Sequence, residues 1–216
     1  MSYIDNTAEY KASSKEYLLA LIGYSSFLGL LDTSGKPYLK LSTWLLEHEK
    51  ELNDEDSRTP TVKDISAAIG VEASKIAKHL KDIYGEIHEL NEKEPNKFFH
   101  KGQKVCDLHF RYFGYSVSFT LGLNELPRVG ENFNFDFIYP RTGCRTFYVK
   151  RISHFIDNDK QTILISLTGE EENLYLRLLN EKAYLKHDIS AMDYINLRFT
   201  HDYALQDKLL KLYQHL

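Results

Sequence analysis

The sequence predicts an α+β chain, a helical N-terminal part followed by a small antiparallel β-barrel-like part and C-terminal helices. Three observations carry that prediction. Before residue 100 apolar residues recur at spacings of three and four, the period of a helix face. From Val105 the period drops to two, the period of a half-buried strand, and aromatic residues are dense. After residue 168 the helical spacing returns. The domain boundaries that follow are 1–100 for the helical domain, 105–168 for the β domain and 169–216 for the C-terminal helices. No internal repeat or low-complexity segment interrupts them.

The first helix is expected from Ser14 as N-cap to about Leu31. Its apolar residues cover nearly the whole circumference, which suits a buried element or a dimer interface. The stretch from Tyr17 to Leu31 is shorter than the ~20 residues of a spanning helix. It is interrupted by Gly23, Ser25, Ser26 and Gly29, and preceded by Asp5, Glu9 and Glu16. A membrane anchor or signal peptide is therefore not expected. Two cysteines, Cys106 and Cys144, fit a reducing compartment without a disulfide, so the expected location is cytoplasmic. The segment from Asp32 to Pro37 reads as a turn. A second helix carries Leu41, Trp44, Leu45, Leu46 and Leu52, and the polar run from Glu47 to Arg58 reads as a solvated loop.

The next segment is the most specific. Pro60 and Thr61 open a helix in which Thr61 and Asp64 form a capping-box pattern. Val62, Ile65, Ala68 and Ile69 give its apolar face, and Gly70 stops it where a positive φ is needed. The following helix has Ile76, Leu80, Ile83, Ile87 and Leu90 at alternating spacings of four and three. Gly85 leaves two outcomes open, one long helix to about Asn91 or an end near Tyr84 followed by a wing strand.

Gly70-Val71 in the turn, and Ile76-Ala77-Lys78-His79-Leu80-Lys81 after it, resemble the winged helix-turn-helix superfamily of bacterial DNA-binding regulators over residues 60–84. The resemblance implies a helix docked in the major groove of double-stranded DNA. It makes Ala73, Ser74, Ala77 and Lys78 candidates for base contacts and Lys63, Lys75 and Lys81 candidates for phosphates. It also implies a homodimer reading two half-sites, with the apolar N-terminal helix or the last helix as dimer element. Three departures stand out. Ser66 replaces the usual Ala or Gly, Glu72 lies in the turn, and the motif has no arginine. The net charge of −4 adds no global attraction to nucleic acid, so any binding must come from a local patch.

In the β part, Leu108, Phe110 and Tyr112 alternate, then Tyr115, Val117, Phe119 and Leu121 in the opposite phase, with Gly114 at a bulge or bend. Phe133, Phe135 and Phe137 read as a further strand, turned by Tyr139–Gly143. Phe147–Ile152 and Thr162–Leu167 complete the set, with Asp157-Asn158-Asp159 as a hairpin turn. Short strands with regular turns resemble small SH3-like or OB-like barrels. An open antiparallel sheet against the flanking helices is the alternative. Arg141, Arg145, Lys150 and Arg151, interleaved with Tyr139, Phe147 and Tyr148, form a possible second nucleic-acid surface through stacking and charge. In the tail, Glu170–Glu172 suit a helix N-terminus, Ser190 and Asp193 form another capping pair, and Leu205, Leu209 and Leu212 share one helix face.

An enzyme is not expected. The chain has no Gly-x-Ser-x-Gly elbow, no phosphate-binding glycine loop and no paired metal-ligand motif. Cys106 and His109 have half of a zinc spacing but fall on opposite faces of a strand. No metal or cofactor is therefore expected. Transcriptional regulation through DNA binding is the leading expectation. The rivals are a non-enzymatic interaction or scaffold protein of phage or mobile-element type, and a ligand-sensing regulator with an aromatic pocket in the β domain. A protein partner could dock on the β domain or the C-terminal helix.

Overall fold

A computed structural model of the chain describes residues 10–54, 57–157, 160–169, 174–199 and 203–213. The chain divides into two units, Met1–Glu170 and Glu171–Leu216. In the first unit, α1 (Ser14–Gly23) starts one residue earlier than expected. Ser13 is the N-cap, and the Glu16 N–H donates to its hydroxyl while the Glu16 carboxylate accepts from the Ser13 N–H. The single helix expected to Leu31 breaks at Tyr24, whose backbone leaves the helical region at φ −133°, ψ 46°. Its ring packs against Phe27, Phe135 and Phe137. The chain resumes as α2 (Ser25–Leu28). Leu18, Leu21, Ile22, Phe27 and Leu28 are buried in the unit's own core, so the apolar circumference serves burial.

Two helices follow, α3 (Leu39–Glu47) and the short α4 (Glu49–Leu52). Then come α5 (Val62–Ile69) and α6 (Ala73–Lys93). Of the two outcomes left open at Gly85, the chain adopts the long helix, and no wing strand follows Tyr84. Ile76, Leu80, Ile83 and Ile87 are fully buried along one face of α6, each contributing about 1.5–3 kcal/mol. The face of α5 is narrower than its spacing suggested: Ile65 is buried, whereas Ala68 is exposed.

The strands are β1 (Lys104–Tyr112), β2 (Tyr115–Leu123), β3 (Asn132–Asn134), β4 (Thr146–Asp157) and β5 (Lys160–Thr168). Phe113 and Gly114 both take positive φ, 42° and 85°, and join β1 to β2 as a two-residue hairpin turn. The strand expected over Phe133, Phe135 and Phe137 stops at Asn134. Asp136–Ile138 is a 3-10 turn that runs into α7 (Tyr139–Thr142). The reason is burial: Phe135, Phe137 and Ile138 all face the core, which a two-residue period cannot achieve for adjacent positions.

The sheet order is β2-β1-β5-β4-β3, curled like a half-barrel and open at β2 and β3. It is mixed rather than antiparallel, because β1 and β5 run parallel from Cys106↔Ile163 to Arg111↔Thr168. That direction is set by a crossover between strands distant in sequence, not by strand composition. One sheet face carries Cys106, Leu108, Phe110, Val117, Phe119, Phe147, Ile163, Ile165 and Leu167 into a core shared with α1 and α6. The change of period between residues 100 and 105 is thus a change of secondary structure inside one unit.

At the β2 edge, Asn91 of α6 acts as a neighbouring strand. Its Nδ2 donates to the Thr120 carbonyl at 2.7 Å, and the Thr120 N–H donates to its Oδ1 at 2.8 Å.

The second unit holds α8 (Leu174–Leu185), α9 (Ala191–Phe199) and α10 (Tyr203–Tyr213). Leu179, Ala183, Ile189, Leu197, Leu209 and Tyr213 form its small core. Ser190 caps α9 as expected: Asp193 N–H donates to its Oγ at 3.1 Å, and Ser190 N–H donates back to Oδ2 at 3.2 Å. Leu212, expected on the packed face of α10, is exposed. The triple acid Glu170–Glu172 and the turn residues Asn158 and Asp159 lie outside the described residues. Among the described residues, no helix is long and apolar enough to cross a membrane.

Candidate nucleic-acid interface

Local chemistry builds the α5–α6 corner. The Thr61 N–H donates to Asp64 Oδ2 at 2.8 Å, and the Asp64 N–H donates to Thr61 Oγ1 at 3.3 Å, closing the capping box. Hydrogen bonds from the Thr61 backbone and hydroxyl hold the Asp64 carboxyl below its ordinary range. Gly70 takes φ 67°, and its N–H donates to the Ser66 carbonyl at 3.0 Å. Ser66 does more than fit. Its hydroxyl donates to the Val71 carbonyl at 2.7 Å and so bridges the end of α5 to the turn. Its small size alone gave no sign of that bond.

α6 then starts from Glu72, whose carbonyl accepts from the Lys75 and Ile76 amides at 3.0 Å. The Glu72 side chain does not cap the helix. It pairs instead with Lys75 Nζ at 3.1 Å, with both side chains mostly exposed. Such a surface pair is weak and yields to salt or to a stronger anion. At about 100° per residue, Ser74, Lys78 and Lys81 fall opposite the stripe of Ile76, Leu80, Ile83 and Ile87. All three are exposed, as are Lys75 and Lys63 at the start of α5. Ala73 and Ala77 are half-buried beside the packed stripe. His79 turns toward the Tyr38 ring. Tyr38 in turn donates to Glu86 at 2.6 Å, and Lys36 pairs with the same carboxylate at 3.1 Å. The lysine face is therefore bounded by acids: Glu86 is already engaged, and Asp82 and Glu89 follow further along the helix.

The second group of basic residues is divided between elements. Arg145 lies over the Tyr139 ring at 4.7 Å, a cation–π contact. Arg141 sits in the last turn of α7, and its charge bears on Tyr84 and His88 of α6. Lys150 and Arg151 lie at a bulge in β4. Of the interleaved aromatics, Phe147 is fully buried, while Tyr139 and Tyr148 are half-buried. Arg151 is placed on the sheet face away from the core, in a row with Ser166, His109 and Ser118. His109 Nδ1 lies 3.1 Å from Ser118 Oγ. Burial, with Arg111 nearby, lowers the His109 pKa.

The rings that could have lined a ligand pocket pack on one another, with Phe110–Phe147 centroids at 4.9 Å and Phe119–Phe137 at 5.4 Å. Cys106 faces the core and its thiol is pushed up to about 11 by burial; His109 projects from the opposite face of β1. Among the described residues, no group of three or more His, Cys, Asp or Glu is placed to hold a metal ion. No known protein family, curated protein or solved structure matches this chain.

Proposed function

We propose that the chain binds duplex DNA through the first turns of α6 and acts in transcriptional regulation. The observation that supports this reading is the joint exposure of Ser74, Lys78 and Lys81 opposite a fully packed stripe, with Lys63 and Lys75 at the flanks. In this reading Ser74 and Lys78 meet base edges, while Lys63, Lys75 and Lys81 meet phosphates. Release of Lys75 from Glu72 accompanies binding. The contact is confined to the helix start, because Asp82 and Glu89 would repel the backbone further along.

The test is a titration of duplex fragments at two salt concentrations, with Lys75, Lys78 and Lys81 changed together to Glu. Binding should weaken as salt rises, with a log–log slope of about 0.9 per phosphate contact. The triple variant should lose it by at least about a hundredfold, as expected when several phosphate contacts become repulsive. Equal binding by the variant would refute the assigned surface.

A further inference from the structure

The two open edges of the sheet are treated differently. At β2 the Asn91 side chain occupies the backbone groups of Thr120. At the other end β3 covers only Thr146–Tyr148 of β4. Cover extends to Val149 through Gly130 N–H to its carbonyl at 2.8 Å and its own N–H to the Glu131 carbonyl at 3.0 Å. Beyond the bulge between Val149 and Arg151, β4 pairs with β5 alone among the described residues of this unit.

Apart from the bulge at its start, this uncovered stretch lacks two common guards of an exposed edge. Between Ile152 and Ile156 there is no proline and no lysine, the residues by which exposed edges are commonly blunted. Phe155 and Ile156 are instead 57% and 76% exposed.

We infer that the Ile152–Ile156 edge of β4 pairs with the same edge of a second copy of this chain, joining two sheets across a two-fold axis. The register follows from the backbone. The pair Asp157↔Lys160 closes a two-residue connection, and antiparallel pairs alternate between bonded and non-bonded. Residues 153 and 155 then bond inward to β5, and Ile152, His154 and Ile156 turn their N–H and C=O groups outward. A two-fold through His154 lets all three outward residues bond at once. His154 lies opposite His154 of the partner subunit, and Ile152 lies opposite Ile156 of the partner subunit. The edge is thus self-complementary: each end of the joint sets one isoleucine beside another, as a stabilising cross-strand pair. Moving the two-fold to Ile152 would drive the joint into the bulge and β3. The same edge offered to an unrelated strand has no such matching of its two ends. The inference rests on the edge alone and not on DNA binding by α6.

Sedimentation of the full chain without DNA tests it. The wild type should sediment as a dimer of the 25.2 kDa chain. Ile156→Lys should halve the mass while keeping the far-UV spectrum of the folded chain, with a thermal transition that no longer rises with protein concentration, and so should His154→Pro, which removes an N–H turned outward from β5. Register is tested in a Cys144→Ser background. His154→Cys should form an intermolecular disulfide on oxidation, since bonded antiparallel pairs bring Cα atoms to about 5.5 Å. Ile152→Cys should not. A monomeric wild type, a dimer unaffected by Ile156→Lys, or equal cross-linking at 152 and 154 would each overturn the inference. Loss of DNA binding with the dimer intact would leave it standing.

Discussion

His88 is the residue at which charge and packing conflict most. Its ring stacks on Phe137 at 5.3 Å and meets Tyr84 edge-on at 4.8 Å, while Nε2 has no hydrogen-bond partner. Burial, with the charge of Arg141, drives its pKa down to about 3. The folded state thus refuses a proton that the unfolded chain accepts below about 6.5. Stability from this residue is complete above that value and falls by about 1.4 kcal/mol for each pH unit between there and about 3. Urea midpoints at pH 7 and pH 4.5 should separate for the wild type and draw together in His88→Phe, which keeps the ring and removes the titration. Asn91 is the opposite case, a buried amide whose nitrogen and oxygen each have a partner. Asn91→Leu strips the Thr120 N–H and carbonyl of their partner and should cost about 2 kcal/mol, with faster amide exchange at Thr120 as the local signature.

Among the elements, those defined by local rules were the most legible. The capping boxes at Thr61 and Ser190, the stop at Gly70 and the two phases of β1 and β2 each depend on neighbours within a few residues. The Gly70 turn carries its own prediction. A Cβ there would meet nothing within 4 Å, so Gly70→Ala tests backbone conformation alone and should cost about 1 kcal/mol by chemical denaturation. Elements shaped by distant contacts were hidden. The 135–142 segment abandons its alternation because the core takes Phe135, Phe137 and Ile138 together, and no local pattern announces a parallel β1–β5 pair. The same divide runs through the candidate site. Exposure of Lys75, Lys78 and Lys81 follows from helical spacing, whereas the separation of Arg141 from Arg151 follows from a short helix where a turn was expected. The Ser66–Val71 bond depends on a rotamer that residue type alone does not specify.

For the whole molecule, the two units carry very unequal cores. The second rests on six buried apolar residues in one described cluster, the first on a continuous core of helices and sheet. Small units are marginal on their own, so calorimetry should show Glu171–Leu216 melting first. A chain ending at Glu170 should retain the later transition unchanged. A single transition lost on that truncation would contradict the division. One helix gives the larger unit its mechanics. α6 runs 21 residues without a break, about 32 Å at 1.5 Å per residue. One end carries the lysines, and the other is pinned to the sheet by Asn91. With no hinge between them, α6 is a stiff rod: a shift of the sheet edge reaches the lysine end as a displacement rather than being absorbed along the way.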